Sequence, residues 1–205
     1  NFNAQEVKKK IIKYSLKLAK YLGYDNVGTW EWLITEDGKY YLMEVNTRIQ
    51  VENEISSKIS FVNGKQINLI KEQIRIALGD KIGYSQKDIQ FKGTSIEFRL
   101  IAEDTKKGFI PLSGVITKFK WDSKPWLTVR THVPQDKPYT IPTQFDPNLA
   151  LAIVYGNNLE EAKKRGLEFL NNVIIEGRTS KGEPLITNIE FLKEKLNWIY
   201  KFVSQ

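Results

Sequence analysis

Glu44-Val45-Asn46-Thr47-Arg48-Ile49-Gln50-Val51-Glu52 is the stretch around which this 205-residue chain is organised. Side chains of an extended strand alternate between its faces, so a strand here puts Glu44, Asn46, Arg48, Gln50 and Glu52 on one side. Val45, Thr47, Ile49 and Val51 take the other. An ordinary half-buried strand with its polar face in water has the same pattern. The polar face, however, has neither Lys nor Ser, and offers two carboxylates, two amides and a guanidinium, groups that bind ions.

Upstream, Trp30-Glu31-Trp32-Leu33-Ile34 and Lys39-Tyr40-Tyr41-Leu42-Met43-Glu44 are β-prone runs separated by Thr35-Glu36-Asp37-Gly38. Asp-Gly is a strong signal for a two-residue hairpin turn. With Asp37 and Gly38 as the loop, Glu36 pairs with Lys39, and counting back sets Glu31 opposite Glu44. A four-residue loop keeps that pairing and an odd-length loop breaks it. Like charges directly across a strand pair cost roughly 0.2–1 kcal/mol unless something positive lies between them. A divalent cation meets that need, and Mg²⁺ at ATP sites takes one or two carboxylates, leaving its other positions to water and phosphate. The plainer alternative is a solvated same-face charge cluster of little energetic weight.

Composition bounds the remainder. An apolar content of 41% with 12% aromatics supports a real core in one large or two small domains. No apolar run approaches the roughly 20 residues of a membrane span, and the opening residues lack the apolar segment and cleavage site of a signal peptide. A soluble, cytoplasmic protein is expected, without a membrane. Cysteine is absent, which excludes disulfides and thiolate metal sites. The charge of +7 is scattered, Lys8-Lys9-Lys10 being the only run of three, so no nucleic-acid stripe emerges. Attraction for anionic substrates fits the charge equally well. The chain begins Asn1-Phe2 and its one Met is Met43, so it is expected to derive from a longer polypeptide.

Helical spacing predicts helices over Gln5 to Leu22, Glu54 to Ser60, Gln66 to Leu78, Leu159 to Asn171 and Ile189 to Val203. Strands are predicted at Thr94 to Leu100, Gly114 to Phe119, Leu127 to His132 and Asn148 to Tyr155. The architecture is therefore α+β, with a composition shift near Gly83 to Lys92 as the boundary between a domain at 1–90 and an antiparallel-sheet domain at 91–205. The single histidine, His132, has no helper nearby, and Trp121 and Trp126 are expected to pack.

The run Tyr41 to Glu52 resembles the signature of biotin carboxylases, the ATP-grasp component of biotin-dependent carboxylases. Leu69 to Ala77, Glu97-Phe98-Arg99-Leu100-Ile101-Ala102-Glu103-Asp104, Phe109 to Gly114 and Phe145-Asp146-Pro147 resemble further family segments in the family's order. The resemblance implies the carboxyl-terminal part of an ATP-grasp domain followed by a biotin carboxylase C-terminal domain. It implies ATP with Mg²⁺ or Mn²⁺, bicarbonate as substrate and biotin as acceptor. By residue, it implies that Glu31, Glu44 and Asn46 hold the metal, and that Arg48 grips bicarbonate with Gln50 and the Val51 backbone. Glu52 would be the general base, and Arg99 would stabilise the biotin enolate. The implied partners are a biotin carboxyl carrier protein or domain, a carboxyltransferase, and a second copy in a homodimer.

Departures accompany the match. Asn53 stands where the family has His after the glutamate, Leu151 replaces a Lys, and Thr131-His132 replaces an acidic-serine pair. Thr179 to Leu185 reads as an extra exposed loop. No glycine-rich phosphate loop is found, so the chain by itself is expected not to hydrolyse ATP. Another ATP-grasp ligase related to carbamoyl-phosphate synthetase shares the Glu-x-Asn-x-Arg pattern, but the downstream segments speak against it. A catalytically decayed module for dimerisation or carrier docking is the alternative from a different class.

Overall fold

The computed structural model describes residues 2–142, 144 and 147–199. Two compact units divide at Phe91 and Lys92. The first contains α1 (Ala4–Tyr21), β1 (Thr29–Ile34), β2 (Tyr40–Asn46), α2 (Asn53–Ile59), β3 (Ser60–Val62), β4 (Lys65–Gln66), α3 (Leu69–Ala77) and β5 (Ile89–Phe91). The second contains β6 (Thr94–Ile101), β7 (Glu103–Asp104), β8 (Ile110–Pro111), β9 (Gly114–Lys120), β10 (Leu127–Thr131), β11 (Tyr139–Thr140), β12 (Asn148–Gly156), α4 (Leu159–Asn172), β13 (Ile174–Thr179) and α5 (Ile189–Leu196). All pairings are antiparallel, so the α+β expectation holds.

In the first unit, Asn3 caps α1 by accepting from the Glu6 N–H at 3.1 Å. Along α1, Ser15 accepts from the Trp32 indole N–H at 3.1 Å, and Tyr14 lies 6.0 Å from the Tyr40 ring. Those contacts tie one face of the β1–β2 hairpin to the helix. Glu31, Leu33, Tyr41, Met43 and Glu44 are exposed.

The expected two-residue turn is wrong. Ile34 pairs with Tyr40, and the Thr35 N–H donates to the Lys39 carbonyl, which leaves the three-residue loop Glu36-Asp37-Gly38. Gly38 at φ +81° supplies the left-handed residue such loops need. The Thr35 hydroxyl bonds the Asp37 carboxylate inside the turn. An odd loop should set Glu31 against Met43, but a bulge between Glu31 and Trp32 in the ladder leaves one residue of β2 over, and Glu31 faces Glu44. Two departures from the simple count cancel.

The strand expected to run to Glu52 stops at Asn46. Thr29, its last partner, begins β1, so the backbone beyond Asn46 has no ladder to join. A turn instead forms at Gln50 to Asn53, where the Asn53 N–H and side-chain amide both donate to the Gln50 carbonyl, at 3.2 and 2.9 Å. It delivers the chain into α2. Likewise Gln66 belongs to β4, opposite Phe61, and α3 starts later, where Asn68 accepts from the Lys71 N–H at 2.9 Å.

In the second unit one sheet has the order β10-β12-β6 and another β11-β9-β13. Ile96, Phe98 and Leu100 on β6 enter the core with Ala150, Ala152 and Val154 on β12, while Arg99 faces outward. Helix α4 packs on β6 and β12, and against α5. Gly156 permits that approach, because a Cβ there would lie 2.4 Å from the Ala162 nitrogen. Trp121 and Trp126 pack against this core as expected.

The short strands β3, β5, β7, β8 and β11 fall outside the predicted ones, and further differences lie nearer the carboxyl terminus. Strand β13 was not foreseen, and the supposed loose loop at 179–185 continues it as a hairpin, with Thr179 N–H to Glu183 O at 2.8 Å and Leu185 N–H to Gly177 O at 3.0 Å. The last helix ends at Leu196 with Asn197 as C-cap, and the expectation for Tyr200 to Val203 lies outside the described residues. Phe145 and Asp146 of the quoted Phe-Asp-Pro segment lie outside them too.

Candidate active site

The bulged hairpin gathers four of the residues singled out from the sequence. Glu31 and Glu44 are cross-strand partners, and the Asn46 side-chain amide donates to Glu31 Oε1 at 2.9 Å and to Glu44 Oε1 at 3.0 Å. The Gln50 amide reaches Glu31 Oε1 at 3.4 Å. Amide hydrogens thus stand where the carboxylates need positive charge, and both carboxylates remain exposed. Among the described residues no group of three or more His, Cys, Asp or Glu could hold a metal. Two carboxylates with an amide beside them are nonetheless a donor set that suits Mg²⁺ completed by water and phosphate.

Arg48 is exposed, and its Nη1 donates to the Ile49 carbonyl at 3.2 Å. One hydrogen bond to its own neighbour leaves the rest of the planar fork facing outward, a shape that matches a planar oxyanion. Since β2 has already ended, the turn positions Arg48, Val51 and Glu52, not strand alternation. Val51 is exposed; Glu52, half-buried, is the N-cap of α2, whose Ile55 N–H donates to the Glu52 carbonyl at 3.1 Å. Asn53 spends its amide on the Gln50 and Val51 carbonyls, holding the turn that carries Gln50 to Glu52.

Arg99 belongs to the second unit. It stands exposed on β6 opposite Leu151, and Leu151 faces Arg130 on its other side. The residue that replaces a family Lys therefore separates two guanidinium-bearing positions in one cross-strand row. Behind β6 lies a residue that the sequence reading passed over. Asn188 is 4% exposed and hydrogen-bonds the backbone at both Arg99 and Ile101. Its signal was faint: an Asn just before a helix reads as a cap and nothing more. Glu103 nearby has its carboxyl raised above the usual range, burial outweighing a hydrogen bond with Asn188. His132 is exposed, its ring 5.3 Å from Tyr139.

Comparison with known proteins gives two family matches. Residues 97–198 match the biotin carboxylase C-terminal domain, and residues 2–84 match the carbamoyl-phosphate synthase L chain, ATP binding domain. Biotin carboxylase 2, chloroplastic, of Populus trichocarpa is 40% identical over 190 residues, 92% of this chain and 35% of that protein. The 2-oxoglutarate carboxylase small subunit of Hydrogenobacter thermophilus is 38% identical over 88% of this chain and 36% of its own length. The biotin carboxylase domain of the Hydrogenobacter 2-oxoglutarate carboxylase, crystallised as a dimer with MgADP, ADP and bicarbonate, aligns at a TM-score of 0.83 with 34% identity. That alignment covers 96% of this chain and 40% of that one. Campylobacter jejuni biotin carboxylase in complex with a β-γ-ATP ligand aligns at 0.82 with 29% identity, over 97% and 41% of the two chains. The chain spans a little over a third of the length of the curated relatives it matches. The match over residues 2–84 bears the carbamoyl-phosphate synthase name, but the match over residues 97–198 and the relatives decide between the two ligase families. Among the described residues no helix is long and apolar enough to cross a membrane.

Proposed function

Because the chain belongs to the biotin carboxylase family, we propose that it supplies the metal-binding hairpin, the bicarbonate grip and the biotin-facing sheet of an ATP-dependent ligase that carboxylates biotin. The observation that carries this reading is the Glu31–Asn46–Glu44 cluster on the exposed face of the hairpin, followed at once by Arg48 and Glu52. Glu31 and Glu44 hold the divalent cation, with Asn46 beside them. A Mg²⁺ held by these residues would supply positive charge to the phosphate oxygens of ATP. Arg48 holds bicarbonate through its planar fork, with Gln50 and the Val51 backbone at its side.

Glu52 takes the proton of bicarbonate, whose oxygen then attacks the terminal phosphorus as ADP leaves. The carboxyphosphate so formed breaks into carbon dioxide and phosphate, the phosphate takes the ureido N–H proton of biotin, and the nitrogen bonds the carbon of carbon dioxide. Arg99 stabilises the negative oxygen that develops on biotin, an oxyanion-hole role. A biotinylated carrier and a carboxyltransferase complete the cycle, the second choosing the final acceptor, and a homodimer is the assembly. Separated from the rest of such an enzyme, these 205 residues hydrolyse no ATP.

The test uses the full-length polypeptide that contains this chain. Bicarbonate-dependent ADP release should rise on adding free biotin, and Glu52→Gln should lower the rate about 10²–10⁴-fold, the range for a lost general base. A folded Glu52→Gln protein with undiminished turnover would remove Glu52 from the mechanism. A native enzyme that binds MgATP and ignores bicarbonate and biotin would favour an assembly module instead.

A further inference from the structure

We propose that Asn188 is the positioning residue for Arg99, acting as a one-residue substitute for a strand along the open edge of β6. This rests on the reading of Arg99 given above. In the order β10-β12-β6, strand β6 has a partner on one side within its sheet. An edge strand leaves backbone donors and acceptors that must be met some other way. Asn188 meets three of them. Its Oδ1 accepts from the Ile101 N–H at 3.0 Å, its Nδ2 donates to the Arg99 carbonyl at 2.9 Å, and its own N–H donates to the Ile101 carbonyl at 3.1 Å.

These bonds also fix the local geometry. The Arg99 carbonyl and both Ile101 groups point away from β12, so Arg99 and Leu151 form a non-hydrogen-bonded pair, the closer kind in an antiparallel ladder. The cross-strand ladder therefore does not hold the Arg99 carbonyl, and Asn188 does.

A cost elsewhere marks the arrangement. Asn188 is the N-cap of α5, where an Asn side chain ordinarily accepts from a first-turn N–H. Here it makes no such bond, and the amide is directed at β6 instead. Breaking a local rule in this way is the signature of a residue held for another task. A backbone shift of about 1 Å at a group that meets a reacting molecule can cost on the order of 10²-fold in rate. The bond to the Arg99 carbonyl opposes such a shift at the residue that carries the guanidinium.

The test measures two rates in the full-length enzyme, biotin-stimulated ADP release and the slower release without biotin, for Asn188→Asp, Arg99→Gln and both together. Asn188→Asp keeps the acceptor for Ile101 and removes the amide donor that serves the Arg99 carbonyl and Glu103. It should lower the biotin-stimulated rate at least about tenfold, leave the biotin-independent rate within about twofold, and add nothing to Arg99→Gln, as coupled residues do. Asn188→Ser, read in the same way, replaces it if the aspartate variant does not fold. Equal loss in both rates, or losses that multiply in the double variant, would show a purely structural residue and overturn the proposal. An inactive Arg99→Gln beside a fully active Asn188→Asp overturns it also. An Arg99→Gln enzyme that keeps biotin stimulation would instead overturn the role given to Arg99.

Discussion

In the second unit Phe119, Leu149 and Leu170 are each 1% exposed and belong to one continuous apolar cluster, whereas in the first Val7 and Ile67 are the only buried apolar side chains among the described residues. Leu33, Tyr41 and Met43, all at least half exposed, stand on the hairpin that bears Glu31 and Glu44. The proposed metal and bicarbonate residues thus sit on a hairpin and the turn that follows it, and Arg99 on a sheet with a dense core beneath it. Open carboxylates can reach a charged substrate and its cation, which a deep core could not admit without a large desolvation cost. The guanidinium proposed to meet a developing charge is instead held on a packed sheet.

That contrast gives three expectations for stability, taken from the largest to the smallest. Phe119→Ala deletes a ring that lies 5.0 Å from Trp121 and should destabilise the second unit by about 3–5 kcal/mol. The exposed Leu33→Ala should stay within about 0.5 kcal/mol. Denaturant melts of the two variants compare the units directly, and equal losses would break the distinction. Next comes Asn158→Ala, which removes the cap that accepts from the Glu161 N–H at 2.9 Å and should cost about 1 kcal/mol, read as a lower midpoint at unchanged slope.

The smallest effect is the dependence on pH at Glu103. Burial raises its carboxyl, so the folded protein holds that proton more tightly than the unfolded one. Its contribution is full below the unfolded value of about 4.3 and is lost as pH rises through the raised folded value. Glu103→Gln removes this loss, so its melting temperature relative to the native protein should climb from pH 4 towards neutrality. A constant difference across that range would mean that Glu103 is not held back by burial.

Much of this was legible in the sequence because it rests on local chemistry. Asp37-Gly38 announced a hairpin, Ile96, Phe98 and Leu100 announced the inner face of β6, and the periodicity of α1 and α4 set both helices to within a residue or so. What failed depends on partners distant in sequence. The bulge that restores Glu31 opposite Glu44 leaves no mark in an alternating pattern, and the end of β2 at Asn46 is set by where β1 begins. Strand β13 exists because β9 offers it an edge, with a register shift at Gly177 that interrupts its own alternation. Asn188 was invisible as a positioning residue, since its work is done on a strand 87 and 89 residues away along the chain.

We propose that Glu52 takes the proton of the bicarbonate whose carbon is carried to biotin. The most direct measurement follows labelled carbon from bicarbonate onto free biotin in the full-length enzyme with MgATP. Label should appear on biotin in step with ADP release and disappear in Glu52→Gln. ADP release without label on biotin, or labelling that survives the substitution, would contradict the account.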